Sequence, residues 1–582
     1  MIMTQATKFE KLAIVFEQLE SVSSSLKMID ILSDFLSEIT PEEARITAYL
    51  LRGKVAPDYE GLKLGLAEKL VMRALTQAWG IPLKEVEGHF QKIGDLGDVA
   101  ASIAPERKST GLSIQEVFSE LQTIARTSGE ASQKVKIQTL ATLLSRCSPR
   151  EAKYVVRIVL GTLRLGVAEM TFLYGLSKAL TGTKEKKAIL ENAFNVLSDL
   201  GEVAYQAVQK GVEALQEVQP VVGVPIRMML AQRVEDLEEV KKHIPGKVFV
   251  EYKYDGERIQ AHIPKQGDIT LYSRRHEKIT HQFPDILAAI RQAFPGKEAI
   301  IEGEVVSIDP QSGKLRNFQV LMTRRRKHKV EEYVEKVPVK YFLFDILYFN
   351  GKSLLKTPLS HRKEILTQYF SNKNGLALAE YILTEAVEDM ESFFAEAMEQ
   401  GGEGVVLKDA TSFYEAGIRG WKWIKFKKEY NRELADTFDL VVVGGIYGTG
   451  RRAGTYGSLL VAAFDPETNK YYSFTKVGAG FTDRDLAALP EMFARYRLSE
   501  KYRLVETQME ADVWFEPALV MEVTGAELTI SPVHTVAKEK LKKGGLALRF
   551  PRFLRWREDK TPEQATTVQE IYEIYKAHQK LT

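Results

Sequence analysis

Val248-Phe249-Val250-Glu251-Tyr252-Lys253-Tyr254-Asp255-Gly256 is the stretch from which the rest of the chain is read. β-Branched and aromatic residues run up to a glycine, the pattern of a strand that ends in a turn. Alternation along a strand puts Glu251, Lys253 and Asp255 on one face, with Val248, Val250 and Tyr252 on the other, apolar one. A lysine among carboxylates at a strand end can act as a nucleophile when its neighbours lower its pKa. The plain alternative is a solvated, ion-paired lysine at a turn, and these nine residues alone do not choose between the two.

Downstream runs repeat the same logic. In IIEGEVV, Glu302 and Glu304 share a face; in WIKFKKEY, Lys425 and Lys427 do, beside Trp423; in EGVVLK, Glu403 and Lys408 bracket an apolar run. Polar groups inside core-like strands are costly to bury unless paired or functional. Four such strands predict a cleft lined by both charges, where a polyphosphate and a divalent ion each find partners. Helical periods over Asp285 to Phe294 and Ala386 to Gln400 lie between strands, so the middle of the chain is α/β or α+β.

The texture changes on either side. Before QPVVGVPIRMML, near residue 218, apolar residues recur at helical spacing (Phe9, Leu12, Phe16, Leu19; Leu32, Phe35, Leu36, Ile39), broken at Thr40-Pro41, Gly80-Ile81-Pro82 and Ser148-Pro149. From about residue 430, DLVVVGG, SLLVAAF, YYSFTKVG and LVMEVTGAEL are spaced by Gly-rich turns, which suggests a small antiparallel barrel, an OB-fold. The expected organisation is three domains: residues 1–218 all-α, 219–428 α+β, and 429–582 a C-terminal β-barrel. With 582 residues, 45% of them hydrophobic, the chain is long enough to bury several cores.

Net charge says little, because 80 Lys and Arg stand against 78 Asp and Glu; any basic surface must be local. Lys538 to Lys560 is such a place, with nine basic and three acidic residues interleaved with Phe550, Phe553 and Trp556, which favours a binding surface over a merely solvated face. Arg324 to Lys329 reads as a basic loop. The single cysteine, Cys147, excludes a disulfide framework and a cysteine-built zinc site. No run of about 18 uncharged apolar residues is present, so an intracellular, cytoplasmic protein with no membrane span is expected.

EYKYDGER, YSRRHE, IIEGEVV, YFLFDILY, EGVVLK, WIKFKK and the terminal LRFPRFLRWREDKTPEQATT, in this order and spacing, resemble the nucleotidyltransferase motifs of ATP-dependent DNA ligases of the archaeal and eukaryotic replicative type. These motifs span residues 251 to 567, and the helical third with GTLRLGVAE is similar to that family's DNA-binding domain. The resemblance implies ATP as co-substrate, Mg²⁺ (with Mn²⁺ as the alternative) and nicked duplex DNA as the partner of a monomeric enzyme. It makes Lys253 the adenylated nucleophile and Glu251 the acceptor of the adenine amino group, favouring ATP over GTP. Arg258 and Arg274 would hold ribose and phosphate or the nicked strand. Glu304 and Glu403 would bind the ribose or the metal ion, and the motif, unlike alternation, selects Glu304 over Glu302. Phe344, which reads as core without the resemblance, would stack on adenine. Arg419, Lys425 and Lys427, with Lys408 less firmly placed, would contact the triphosphate. Arg557 and Lys560 would orient pyrophosphate in the first step, so the barrel is expected to swing, with a hinge near Lys428 to Asp436.

Two rival readings remain. An RNA ligase or capping guanylyltransferase shares the Lys-x-Asp-Gly core, but the helical third and the FPRFLRWREDK ending argue against both. A non-catalytic DNA-binding scaffold would have kept the fold and lost these residues. One cysteine cannot build the four-cysteine zinc finger of an NAD⁺-dependent ligase. Archaeal relatives often carry a sliding-clamp peptide with paired aromatics, whereas the corresponding APERKSTGLSIQEVF has no such pair, which puts clamp binding in doubt. Arg164, between two glycines in GTLRLGV, is read either as a close approach to DNA or as a packing contact.

Overall fold

Phe9, Leu12, Phe16 and Leu19 are fully buried along one face of a helix, Phe9–Glu20. Thr40 caps the helix Pro41–Leu50 in a reciprocal arrangement with Glu43, and Ser148 does the same with Glu151 for Pro149–Leu160. Such boxes satisfy backbone N–H groups that the first helical turn leaves free. Both breaks expected at Thr40-Pro41 and Ser148-Pro149 are therefore helix starts. Among the described residues twelve α-helices lie between Phe9 and Lys210, sharing one hydrophobic core that runs from Phe9 to Leu215. Leu163 and Leu165 of the GTLRLGV segment are part of that core.

These helices come from a computed structural model that describes residues 6–106, 110–163, 165–316, 318–324, 334–369, 375–427, 437–448, 455–541 and 544–579. The expected hinge Lys428 to Asp436, Arg164 and the basic residues Arg325 to Lys329 lie outside them. Arg324 is described, and it is buried against Asp285 at 2.7 Å rather than displayed on a loop. The chain divides into two compact units, Met1–Lys427 and Lys428–Thr582. Among the described residues no helix is long and apolar enough to cross a membrane.

Among the described residues the first unit continues past the helices into eleven strands: β1 Leu230–Arg233, β2 Val248–Lys253, β3 Glu257–Ile263, β4 Thr270–Ser273, β5 Ala299–Ser307, β6 Val339–Phe349, β7 Lys352–Ser353, β8 Leu376–Leu378, β9 Tyr381–Thr384, β10 Gly404–Asp409 and β11 Arg419–Lys427. They form two sheets, one ordered β1-β11-β10-β2-β9 and one ordered β4-β3-β5-β6-β7, with β8 beside β6. Apolar residues of both sheets meet in one core: Val250 and Val405 from the first, Ile300, Phe342 and Phe344 from the second. The first sheet also packs on the helix Val387–Glu399 through Met390, Phe393 and Ala397. The second buries Ile259, Ile301 and Leu343 against Ile286 and Ile290 of the helix Pro284–Ala293.

The second unit holds β12 Phe438–Tyr447, β13 Tyr456–Asp465, β14 Lys470–Val477, β15 Arg497–Leu498, β16 Val505–Glu506, β17 Val513–Phe515, β18 Val520–Thr524, β19 Glu527–Ser531, β20 Gly545–Arg549 and β21 Arg552–Trp556. Strand β12 pairs with β13 along one edge, and on the other with β18 near its start and β17 near its end. One strand serving two partners on the same edge curls the sheet into the barrel expected of an OB-fold. The sequence reading did not mark the helices Asp483–Phe493 and Val568–Gln579.

Candidate active site

Strand β10 lies between β2 and β11, and register sets what meets what. Gly404 stands opposite both Lys253 and Lys427, and Val406 opposite both Glu251 and Lys425. Glu251, Lys253, Lys425 and Lys427 therefore share one face of the first sheet, as alternation predicts. Asp255 does not continue that row. It lies beyond the end of β2, where its carboxylate accepts a 3.0 Å hydrogen bond from the Phe318 backbone N–H.

Two glycines permit the close approaches here. A Cβ on Gly256 would sit 2.3 Å from the Val305 carbonyl oxygen and 3.0 Å from Glu304 Cγ. Gly404 adopts φ +147°, and a Cβ there would meet the Phe426 carbonyl oxygen at 2.3 Å. No side chain fits either place.

The Lys253 ammonium donates to the Glu403 carboxylate, and the Glu403 backbone N–H donates to the Lys253 carbonyl at 2.8 Å. Burial lowers the Lys253 pKa; Lys427 and Lys425 push the same way, while Glu304 and Asp255 oppose them. Burial raises the Glu304 carboxyl to about 8, with Glu257 and Asp255 adding to the shift against the pull of Lys253 and Arg258. Burial thus disfavours charge on both the amine and the Glu304 carboxyl, the kind of perturbation that clusters at functional sites.

Cations continue outward from the amine. Lys425, itself lowered chiefly by burial, also feels Arg419, Lys427, Arg274 and Arg233. Arg419 and Arg274 are exposed, at the start of β11 and just past β4. Arg233, opposite Lys425 across β1 and β11, was missed in the sequence, where nothing marks it.

Glu251 is only 2% exposed. Its Oε2 accepts a 2.7 Å hydrogen bond from Lys408, and its Oε1 lies 2.7 Å from the Lys363 ammonium. Burial brings Lys408 down to about 8, although Glu251 favours its charge. The Lys408 ammonium stands 4.2 Å from the ring centres of both Phe344 and Trp423. Phe344 is thus a nearly buried ring, edge-on to Trp423, with cations over it.

Arg258 differs from its expected place. It crosses to Glu302 at 2.7 Å and to the Met229 carbonyl at 2.7 Å, beneath Phe344 and Trp423. Only its Nε is without a partner. Glu302, fully buried, also receives Gln260 at 3.0 Å and Tyr414 at 2.9 Å. The choice of Glu304 over Glu302 has a physical counterpart: Glu302 is committed to the wall, whereas Glu304 faces the lysine.

Sequence reasoning also missed Arg362 and Lys363. The helix Leu359–Tyr369 buries Leu359, Arg362, Lys363 and Leu366, the positions a core-facing stripe would occupy. Two cations inside that stripe were the available signal. Arg362 grips Asp345, the residue after Phe344, at 2.7 and 3.0 Å.

Among the described residues no three His, Cys, Asp or Glu side chains form a metal cage. Glu304 and Glu403, two hard oxygen donors near the Lys253 amine, fit an ion of the Mg²⁺ type, which takes one or two carboxylates and completes its shell with phosphate oxygens and water. A cation there would also relieve the cost of ionising Glu304.

In the second unit, Arg557 donates to both oxygens of Asp439 at 2.8 Å and pairs with Asp559, while Lys560 reaches Asp439 at 2.6 Å. The two residues expected to act together are thus held on one carboxylate.

Comparison with known proteins covers nearly the whole chain. The family described as "DNA ligase N terminus" matches residues 8–177, "ATP dependent DNA ligase domain" residues 228–427, and "ATP dependent DNA ligase C terminal region" residues 452–560. A protein named DNA ligase from Caldivirga maquilingensis is 43% identical, covering 99% of this chain and 98% of its own length. One named DNA ligase 2 from Thermofilum pendens is 44% identical, covering 98% of each. A solved structure titled "Pmar-Lig_PreS3" covers 94% of this chain and 99% of its own at 19% identity, with a TM-score of 0.54, a likeness of fold alone.

Proposed function

Because the chain belongs to the ATP-dependent DNA ligase family, we propose that it seals nicks in duplex DNA through a lysyl-AMP formed on Lys253. The observation that carries this reading is the Lys253 amine, its pKa lowered by burial, donating to Glu403 and within the field of Glu304, with Lys425 and Lys427 on its own sheet face.

In the first step the neutral Lys253 nitrogen attacks the α-phosphorus of ATP. The N–P bond forms, the bond to the bridging α,β-oxygen breaks, and pyrophosphate departs. The proton that the nitrogen sheds as this bond forms is taken up by the departing pyrophosphate or by water. Lys425, Lys427, Arg419 and Arg274 offset charge on the phosphoryl oxygens, the larger part of catalysis in phosphoryl transfer. Glu251 reads the adenine amino group, Phe344 lies along the base, and Arg258 with Trp423 shapes the wall beneath it. A divalent ion held by Glu304 and Glu403 would supply further charge stabilisation at the phosphates. AMP then passes to the 5′-phosphate of the nick, and the 3′-hydroxyl displaces it to join the strands. Arg557 and Lys560 orient pyrophosphate in the first step.

The boundaries 1–218, 219–428 and 429–582 are the corresponding DNA-binding, adenylation and OB-fold domains of a monomer that acts inside the cell. The helical domain holds the duplex largely through phosphates, so binding should weaken steeply with salt. The test is Lys253→Ala assayed twice. It should take up no acid-labile label from α-³²P ATP, yet still seal a nick supplied already adenylated at a reduced rate. Label on any other side chain overturns the reading.

A further inference from the structure

The segment that joins the helices to the sheets, Gly223 to Met229, is bonded on two sides. Towards the second sheet its backbone meets side chains at every third residue. Gly223 donates to His262 Nδ1 at 3.0 Å and accepts from the Tyr272 hydroxyl. Ile226 donates to Gln260 Oε1 at 2.7 Å and accepts from Gln260 Nε2 at 3.1 Å. Met229 donates to the Tyr414 hydroxyl at 2.9 Å and accepts from Arg258 at 2.7 Å. Arg258, Gln260 and His262 are alternate residues of β3, and the last two are buried. Burial lowers His262 to about 3, so its ring is neutral; Nδ1 accepts, hence Nε2 carries the proton and donates to Gln260 Oε1 at 2.7 Å. Gln260 Nε2 also donates to Glu302 at 3.0 Å, so the network ends on the Arg258–Glu302 wall beneath Phe344 and Trp423. Arg227 faces the helices instead. Its N–H donates to the Asn195 carbonyl at 2.8 Å, and its guanidinium lies 3.9 Å from the Phe194 ring centre and donates to Glu169 at 2.8 Å. Glu169 opens the helix Glu169–Thr181, directly after GTLRLGVA.

We infer that Gly223 to Met229 is a coupling strap, with Gln260 and Arg227 its positioning residues, through which the seating of the helices on duplex DNA sets the wall of the nucleotide pocket. This rests on the reading that the helical domain holds the duplex. A mere tether needs no such bonding, because a loop on the surface satisfies its backbone with water. Here three residues of the segment have both backbone groups paired with side chains, so it cannot slide without leaving Gln260, Glu302 or Arg258 unpaired. The Gln260 amide has no slack: Oε1 is shared by Ile226 and His262, and Nε2 by Ile226 and Glu302. Buried networks of this sort hold one arrangement and give way together. A displacement of the helices acts on the segment at Arg227 and reaches Arg258 through Ile226 and Met229. Coupling is a free energy and therefore reciprocal, so nucleotide and duplex must alter each other's affinity by one factor.

The experiment uses the full-length protein, α,β-methylene-ATP with Mg²⁺, which cannot release pyrophosphate, and a fluorescent duplex whose nick lacks its 5′-phosphate. The duplex Kd is measured at fixed salt with and without saturating analogue in the parent, Gln260→Leu, Arg227→Met, their double variant and Arg52→Met. In the parent the two Kd values should differ at least about fivefold, and duplex should change the analogue Kd by the same factor. Gln260→Leu and Arg227→Met should each bring that factor to within about twofold of one, and the double variant should lose no more than either, since both act on one route. Arg227→Met leaves the wall's own bonds in place, so its analogue Kd without DNA should stay within about threefold of the parent. It carries the test if Gln260→Leu fails to fold. Arg52→Met removes another ion pair of Glu169 but no bond of the strap, and should keep the parental factor. A parental factor of one overturns the inference. So does its survival in Arg227→Met, which would mean that duplex and nucleotide meet directly, or its loss in Arg52→Met, which would assign it to the helical core at large. A parent that binds no duplex fails the ligase reading itself, and the inference falls with it.

Discussion

Replacing Gly256 by alanine tests whether the placement of Lys253 governs the first step. The new Cβ would stand 2.3 Å from the Val305 carbonyl oxygen and 3.0 Å from Glu304 Cγ. Ordinary contact is more than 3 Å, so the start of β3 and the middle of β5 must part by about 1 Å, since neither is a flexible side-chain end. Gly256 follows Lys253 by three residues, and the strand it displaces carries Glu304. The gap therefore opens between the nucleophile and its neighbouring carboxyl. Overpacking of this kind costs about 1–3 kcal/mol of stability, a fall of a few degrees in melting temperature. A 1 Å misplacement of reacting groups costs about 100-fold in rate. The assay is single-turnover self-adenylation at saturating ATP, with a melting curve on the same preparation. Gly246→Ala is the control, because nothing lies within 4 Å of a Cβ there. A Gly256→Ala protein that adenylates within about threefold of the parent, while the melting temperature falls as expected, would refute the reasoning.

Further outcomes can be measured, those at Lys253, Glu304 and Arg362 from the site's geometry and that at Arg557 and Lys560 from the proposed first step. Lys253 is reactive only when neutral, and burial holds its pKa below the ordinary 10.5, so the self-adenylation rate should rise with pH and level off below that value. Glu304 raises the Lys253 pKa, so Glu304→Gln should move the plateau to lower pH at fixed free Mg²⁺, and a shift the other way would contradict the assignment. Arg362→Met leaves the fully buried Asp345 without its cation and should cost about 3–5 kcal/mol in denaturant unfolding, with Asp345→Asn recovering part of the loss. The native Asp345 pKa is lowered, so the stability this pair contributes is present above the ordinary 3.8 and is lost as pH falls through the folded value; the variant should lack that acid-sensitive part. Arg557→Ala and Lys560→Ala should slow self-adenylation at least about tenfold yet seal a pre-adenylated nick within about threefold of the parent, and equal losses in both assays would remove their first-step role.

Local sequence determined the elements and much of the site's membership. Helical periods, capping boxes at Thr40 and Ser148, and alternation in β2 and β10 depend on residues close in the chain, so their physics is legible without a fold. Alternation correctly gave Glu251 and Lys253 a common face. It overreached at Asp255, because nothing local says where a strand stops. Tertiary structure alone decided which charges face the cleft and which hold its walls. Glu302 and Glu304 are equivalent to any rule of period two, yet one is paired with Arg258, Gln260 and Tyr414 while the other stands beside Lys253. Lys363 and Glu251 are more than a hundred residues apart, and their contact exists only because a helix and a sheet pack together. Burial and charge sums are properties of that packing. A pKa or a committed guanidinium cannot be read from spacing, since each is set by groups the chain brings from elsewhere.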